Sequence, residues 1–341
     1  MTFCLTLAIL HAVFKLDLAQ YNLVDTKTHI ISRETNTLLT VPELNVRGQK
    51  LCEEERVPDI MEVKQELEDK GWVLIPGIKM KALLLQFGAT TEDLNELESG
   101  SIHKDLPQDQ QTRKYFRKIF CNKMILNTTN KDVFTANSNC ITQIPRKEIA
   151  TSDDIGTRYY LDASHRYRRN TVSTALARMN LVLSPDHHHH QDNLNTDHEV
   201  TINEQFVIRT TRTNAAVEVS PTPEGVHQDN TEISSVVLIG RYNITHGGES
   251  RLWNLKTPIG NYDEDLYQSG AMDKNLILNH PLKQPFETIY FNDRKMKHEA
   301  RAVQGNGLLG NKVRDVIVNF IRKPTKDGRD VFLRREKLFH L

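Results

Sequence analysis

The stretch Pro223-Glu224-Gly225-Val226-His227-Gln228-Asp229 sets an imidazole and a carboxylate two residues apart, just after a turn-forming Pro and Gly. On a β-strand, side chains at i and i+2 leave the same face. His227 and Asp229 can therefore offer one nitrogen and one oxygen to a single metal ion. A second imidazole, His298, opens another short strand-like run far downstream. Two His and one carboxylate on one side of an ion, with the remaining positions open, suit Fe(II) that must also take O₂.

With 14 His and 44 acidic residues among 341, a lone His-x-Asp pair also arises by chance as a polar pair at a strand end. Its surroundings decide. Ser234 to Ile239 is a β-branched, apolar run that reads as a buried strand. Asn243 to Gly248 supplies a turn, and Ser250-Arg251-Leu252-Trp253 begins a return strand. Glu287 to Phe291 is a further strand, ended by Asn292-Asp293, and it leads the chain to His298. Arg314 to Phe320 is the cleanest strand of all, with Arg314, Val316, Val318 and Phe320 on one face. A cation at the mouth of an apolar, inward-facing row is costly unless it meets an anion.

The run from Gln205 to Asn230, with Arg209 and the stretch quoted above, resembles a family of Fe(II)/2-oxoglutarate dioxygenases that includes bacterial free-amino-acid hydroxylases. Arg241-x-Asn243 followed by Gly247-Gly248-Glu249-Ser250 resembles it too. So do Asn292-Asp293-Arg294 leading to His298, and Arg314-Asp315-Val316. The likeness covers roughly residues 57–322, and several ordered motifs are more specific together than any one alone. It implies an α+β, mainly β chain: a double-stranded β-helix (jelly-roll, cupin-like) with N-terminal helices packed outside. It implies His227, Asp229 and His298 as iron ligands, and Arg314 as the grip on the distal carboxylate of 2-oxoglutarate. Arg166-Tyr167-Arg168-Arg169 looks like the Arg-rich strand that opens the family's core. Asn230 stands where the family leads one to expect Gly, and residues 254–286 read as an inserted or extended loop region. Arg301, Lys312 and Arg322 are the other cations near the cosubstrate end; strand parity favours Arg314.

The implied reaction needs Fe(II) held by three protein atoms, with two open positions for 2-oxoglutarate and one for O₂. Succinate, CO₂ and a hydroxylated product result. Imidazole suits Fe(II), and a carboxylate offsets its charge. A guanidinium meets a carboxylate bidentately, so Arg314 would select a dianion over a monoanion. Asn292 and Asp293 can support His298 by hydrogen bonds or can form an ordinary turn. The substrate implied is a small molecule, above all a free L-amino acid, which needs a cation for its carboxylate and an acceptor for its ammonium. Arg209, Arg212 and Glu224 stand close enough in sequence, but read first as structural ion pairs. Two other readings use the same three ligands. One is a cupin-like metal-binding module without oxygenase activity, which has no use for an inward cation at Arg314. The other is a Zn-dependent hydrolase or isomerase, which has no need of 2-oxoglutarate.

Lys+Arg and Asp+Glu both total 44, and this balance argues against nucleic acid or an anionic membrane as a partner. The four cysteines, Cys4, Cys52, Cys121 and Cys140, are too scattered for a disulfide scaffold. A reduced, cytoplasmic protein is the default expectation. Residues 2–14 form an apolar run of signal-peptide length without a basic n-region or a small-x-small cleavage site, so secretion is the alternative. The run is too short for a membrane span, which needs about 20 residues. The sequons at Asn127 and Asn243 matter only on that alternative.

Three segments are expected: an N-terminal extension over 1–56, one catalytic domain over 57–325 and a C-terminal tail over 326–341. Asp59, with Glu62 three residues later, predicts a capped helix to Lys70 that buries Ile60, Val63 and Leu67 and stops at Gly71. Trp72 to Ile75 then reads as a strand, Lys79 to Phe87 as a second helix and Thr91 to Glu98 as a polar helix. Residues 100–150 show no clear pattern. Four adjacent imidazoles at His187–His190 cannot converge on one ion from a strand; they read as a solvated loop, and His246 as a turn residue.

Overall fold

The computed structural model describes residues 59–109, 117–127, 133–136, 140–143, 157–184, 200–212, 221–222, 224–229, 231–262, 269–270, 272–304, 311–322 and 338–340, with short backbone pieces at 21–22, 30–32 and 38–39. The apolar run 2–14, the His187–His190 run and Asn230 lie outside these residues. The chain divides into two compact units, Met1–Arg56 and Val57–Leu341. In the first, the described backbone is three short antiparallel strands, Tyr21–Asn22, Ile30–Ser32 and Leu38–Leu39.

The second unit opens on helix α1 (Ile60–Lys70). The Asp59 side chain accepts a hydrogen bond from the Met61 N–H, which satisfies one of the free donors of the first turn. Val63 and Leu67 are buried, and Gly71, at φ 80°, turns the chain out of the helix. Strand β1 (Trp72–Ile75) follows. Helix α2 (Gly77–Gln86) starts two residues before the expected Lys79, because Pro76 already supplies a helix-compatible entrance. Helices α3 (Thr91–Glu98) and α4 (Ser101–Lys104) complete the group.

Residues 117–127, within the stretch that showed no pattern, form β2 (Arg117–Asn127), an eleven-residue strand. Its residues are buried on both faces (Ile119, Phe120, Cys121), so no alternation marks it in the sequence. Short strands β3 (Val133–Ala136), β4 (Cys140–Gln143) and β5 (Thr157–Tyr160) follow. The expected Arg-rich strand at Arg166–Arg169 is a helix instead, α5 (His165–Arg169). Ser164 caps it by accepting from the Tyr167 N–H, while Arg166 pairs with Glu96 and Arg168 with Asp162. These arginines hold structural contacts on the helical side. Helix α6 (Thr171–Leu183) then packs its apolar face into the core.

The remaining strands are β6 (Val200–Arg212), β7 (Ile233–Tyr242), β8 (His246–Gly247), β9 (Ser250–Asn254), β10 (Leu276–His280), β11 (Thr288–Phe291), β12 (Met296–Ala300), β13 (Val303–Gln304), β14 (Lys312–Arg322) and β15 (Leu338–His340). The main sheet runs β15-β3-β2-β6-β14-β7-β11-β1, and a smaller one runs β10-β9-β12. Every pairing between these strands is antiparallel. An isolated antiparallel bridge between His227 and His298 adds the 226–227 segment beside β12. From β6 onward the chain therefore crosses repeatedly between these two sheets, with β9 and β10 consecutive in the smaller one and β8 pairing with β13. The return strand β9 pairs with β10 and β12 rather than with β7.

The expected loop region 254–286 contains β10 and two fully buried side chains, Leu282 and Phe286. β10 was not legible because its residues are half-buried or exposed, as suits the edge of the smaller sheet. Two cores result. Val207, Val237, Ile239 and Ile317 face Leu83, Leu84 and Met179 of the helices. Phe206, Ile208, Ile289 and Val316, from the opposite face of the main sheet, meet Leu252 and Met296 of the smaller one. Each such side chain stabilises the fold by about 1.5–3 kcal/mol when fully buried.

Cys121, at the centre of β2, is disulfide-bonded, which departs from the expectation of reduced cysteines. Among the described residues no helix is long and apolar enough to cross a membrane.

Candidate metal centre and cosubstrate pocket

Gly225 sets up the candidate metal-binding stretch. It sits at φ 69°, and a Cβ there would lie 2.3 Å from the Gly260 carbonyl oxygen. Only glycine permits both the left-handed turn and this close approach. Val226 and Gly260 then exchange backbone hydrogen bonds of 2.9 Å, and His227 and His298 do the same at 3.0 and 2.9 Å. That pairing places the two imidazoles side by side, ring centroids 4.2 Å apart.

The His227 Nδ1–H donates to the Gly225 carbonyl at 2.7 Å, which leaves Nε2 with its lone pair. His227 Nε2 lies 3.7 Å from Asp229 Oδ1, and His298 Nε2 lies 3.1 Å from Asp229 Oδ2. One ligand atom from each of the three side chains falls within 4.8 Å of the others. Behind His298, Asp293 is fully buried, with Oδ1 3.3 Å from the His298 Nδ1. Its other oxygen accepts from the Thr231 N–H at 3.1 Å, so the carboxylate is held in place. A carboxylate behind a ligand imidazole orients the ring and makes it more basic. Asn292, by contrast, caps the turn by accepting from the Arg294 N–H.

Burial alone would push the Asp229 carboxyl up, but the imidazoles of His298 and His227 more than reverse this and hold it at about 2. At His298 burial works downward, and the carboxylates of Asp229 and Asp293 overcome it and raise it to about 10. The cluster therefore demands a cation. Asp229 Oδ2 is buried without a well-aligned hydrogen bond, facing the histidine nitrogens. An orphaned carboxylate oxygen, two imidazole nitrogens and a carboxylate behind one ring fit a divalent ion, which would displace the His298 proton.

These residues open onto a cavity between the sheets, with about 1200 Å³ of space including its mouth. Arg314, Val316, Val318 and Phe320 all line it, as the strand parity of β14 predicted. Arg314 is 3% exposed, its Nη2 3.4 Å from the Ser250 hydroxyl. Burial, followed by the neighbouring Arg241 guanidinium, lowers its pKa to about 10, with Glu249 opposing. None of the competing cations lines the cavity: Arg322 pairs with Glu204, and Lys312 and Arg301 lie outside the lining. Arg209 is bound to Asp315 at 2.6 Å and is a structural ion pair, as expected. Glu224 lines the cavity, and the Arg212 side chain lies outside the described residues. His246, expected in a turn, is instead exposed on the short strand β8, where it pairs with Gln304. Sequence reasoning missed Arg117, Tyr160 and Thr210, which also line the cavity. The register of β2 on β6, and of β6 on β14, identifies Arg117 and Thr210, while Tyr160 arrives from β5.

The chain belongs to the 2OG-Fe dioxygenase family, whose model matches residues 101–320. It is thus an Fe(II)- and 2-oxoglutarate-dependent oxidoreductase that consumes O₂. Among solved structures, the selenomethionine-labelled Fe(II)/(alpha)ketoglutarate-dependent dioxygenase TqaL aligns with a TM-score of 0.58 at 18% identity, over 79% of this chain and 88% of that one. IDO from Bacillus thuringiensis aligns at 0.56 and 16% identity, over 78% and 100%. A bsmA homolog from Methylobium petroleophilum PM1 aligns at 0.57 and 16%, over 79% and 95%. At such identities the likeness is one of fold. No curated protein sequence matches significantly.

Proposed function

We propose that this enzyme hydroxylates a free L-amino acid at a centre built from His227, Asp229 and His298, with Arg314 holding the distal carboxylate of 2-oxoglutarate. The observation that carries the reading is the convergence of the three ligand atoms at the cavity that Arg314 also lines. The repeated crossing of the chain between the two antiparallel sheets supports a double-stranded β-helix, in which such a centre sits between the sheets. Bound Fe(II), with 2-oxoglutarate and O₂, supplies the oxidant that inserts oxygen into a substrate C–H and leaves succinate and CO₂.

The chain's own residues do the rest. Gly225 and the bridge to His298 fix the two imidazoles, and Asp293 holds the His298 ring. Arg314, beside the Ser250 hydroxyl, offers a guanidinium fork to a carboxylate and orients the cosubstrate by charge-assisted hydrogen bonds. Phe206, Val316 and Phe320 line the same space and exclude water from the reacting C–H. The cavity also holds both signs of charge that a zwitterion requires, Arg117 and Arg251 against Glu224 and Glu299. For compartment, the disulfide at Cys121 favours an oxidising environment, the secretory alternative over the cytoplasm.

The test is anaerobic reconstitution with Fe(II), then measurement of succinate after O₂ is admitted, across the L-amino acids. At least one should stimulate succinate release stoichiometric with a product 16 Da heavier, a mass expected from insertion of one oxygen atom. His227→Ala should lose both iron and turnover. No stimulation by any amino acid, or unchanged iron content in His227→Ala, would sink the reading.

A further inference from the structure

We infer that Arg117, with Thr210 beside it, forms a second anion-binding position in the cavity and holds the carboxylate of the substrate. The inference rests on the amino-acid reading above and narrows it to acids with an apolar body. Arg117 on β2 lies opposite Thr210 on β6, and Thr210 lies opposite Arg314 on β14. Residues paired across neighbouring strands share a face, and all three line the cavity. Strands are about 4.8 Å apart, so the backbones of the two arginines are about 10 Å apart. The distal carboxylate of one cosubstrate accounts for one guanidinium at the Arg314 end of this row. The other end is left for a different anion.

Three polar atoms of the row, Arg117 Nε, Thr210 Oγ1 and Arg314 Nε, are buried without a hydrogen-bond partner. Thr210 is only 1% exposed. Donors buried in this way are destabilising unless a ligand completes them. The acid beside Arg117 is Asp109, whose Oδ2 is 3.6 Å from Nε, too far for a hydrogen bond. Asp109 offsets the charge of the guanidinium and steadies it without satisfying the Nε–H. Next along the same strands, Phe206, Ile208 and Val316 form an apolar wall, with the Tyr160 ring edge-on to Phe206 at 4.9 Å. A ligand that fits has a carboxylate at one end and an apolar side chain, not a second charge, at the other.

The experiment titrates the full-length enzyme, loaded with Fe(II) and 2-oxoglutarate without O₂, with the L-amino acids and their C-terminal amides. The wild type should bind at least one apolar amino acid at least tenfold more tightly than its amide, as expected of a charge-assisted hydrogen bond. Arg117→Gln should erase that preference, weakening the acid about thirtyfold and the amide less than threefold. Its affinity for 2-oxoglutarate should stay within about twofold, which also shows that the cavity is intact. Arg117→Lys should recover part of the preference, since it keeps the charge and loses the fork. A preference that survives in both variants overturns the inference and leaves the proposed function standing. A fall in 2-oxoglutarate affinity matching that of the acid also overturns it, because Arg117 would then serve the cosubstrate. A wild type that binds no amino acid defeats the amino-acid reading itself, and this inference with it.

Discussion

Replacing Arg314 by Met separates binding from stability with opposite signs. The guanidinium is 3% exposed, its Nε has no hydrogen-bond partner, and Ser250 lies at a long 3.4 Å. Burial and the Arg241 cation hold its pKa down to about 10, and that displacement from the usual guanidinium value corresponds to a penalty on the order of 3 kcal/mol. Because the folded pKa lies below the unfolded one, the penalty is fully present at every pH below about 10, neutral pH included. Met fills a similar volume without charge. Allowing for the lost contact to Ser250, the substitution should stabilise the metal-free enzyme by roughly 1–2 kcal/mol, or about 2–8 °C in Tm for a domain of this size. It should also remove a charge-assisted pair of hydrogen bonds from 2-oxoglutarate, about 3–4 kcal/mol, or roughly 10²- to 10³-fold in Kd. Thermal denaturation of the metal-free protein and anaerobic titration of 2-oxoglutarate read the two effects independently. A variant that is less stable yet binds 2-oxoglutarate as the wild type does would refute the reasoning, since Arg314 would then be a structural cation.

Other outcomes follow from the same geometry. Gly225→Ala forces a left-handed Ala and a Cβ 2.3 Å from the Gly260 oxygen, at about 2 kcal/mol or more, so equilibrium dialysis should show at least tenfold weaker Fe(II) binding; wild-type iron retention would contradict this. Asp293→Asn keeps an acceptor for Thr231 but removes the charge behind His298, and metal affinity should fall roughly 10- to 100-fold by competition with a chelator. His103 is fully buried against β14, and burial, with Arg209 adding to it, lowers its pKa to about 4 despite Asp315. The unfolded chain therefore takes up the proton first. Stability should decline as pH drops from about 6.5 towards 4, by on the order of 3 kcal/mol in all, and urea denaturation of His103→Gln should lack that part of the slope.

Where a residue pattern repeats locally, it could be read directly. The α1 cap at Asp59, its stop at Gly71 and the inward row Arg314-Val316-Val318-Phe320 rest on periodicity and capping chemistry within a few residues. The misread parts depend on what lies across from them. β2 is buried on both faces and shows no alternation, whereas β10 is too exposed to look like a strand. Arg166–Arg169 carried the right composition for a basic strand, yet Ser164 supplies a helix cap and Glu96 and Asp162 supply acids to pair with. Of the candidate site, the converging His227, Asp229 and His298 and the cavity-lining Arg314 were legible from motif and parity. Arg117 and Thr210 were not, since nothing near them in the chain marks a pocket.

The sequence by itself determined which side chains could bind a metal and which face of each strand is apolar, because both follow from residue chemistry and the two-residue period of a strand. Only the tertiary structure decided that the His227 and His298 backbones bridge directly and that Arg117, Thr210 and Arg314 form one row. Those meetings are set by pairing between strands far apart in the chain, where a shift of one residue would turn every side chain to the opposite face.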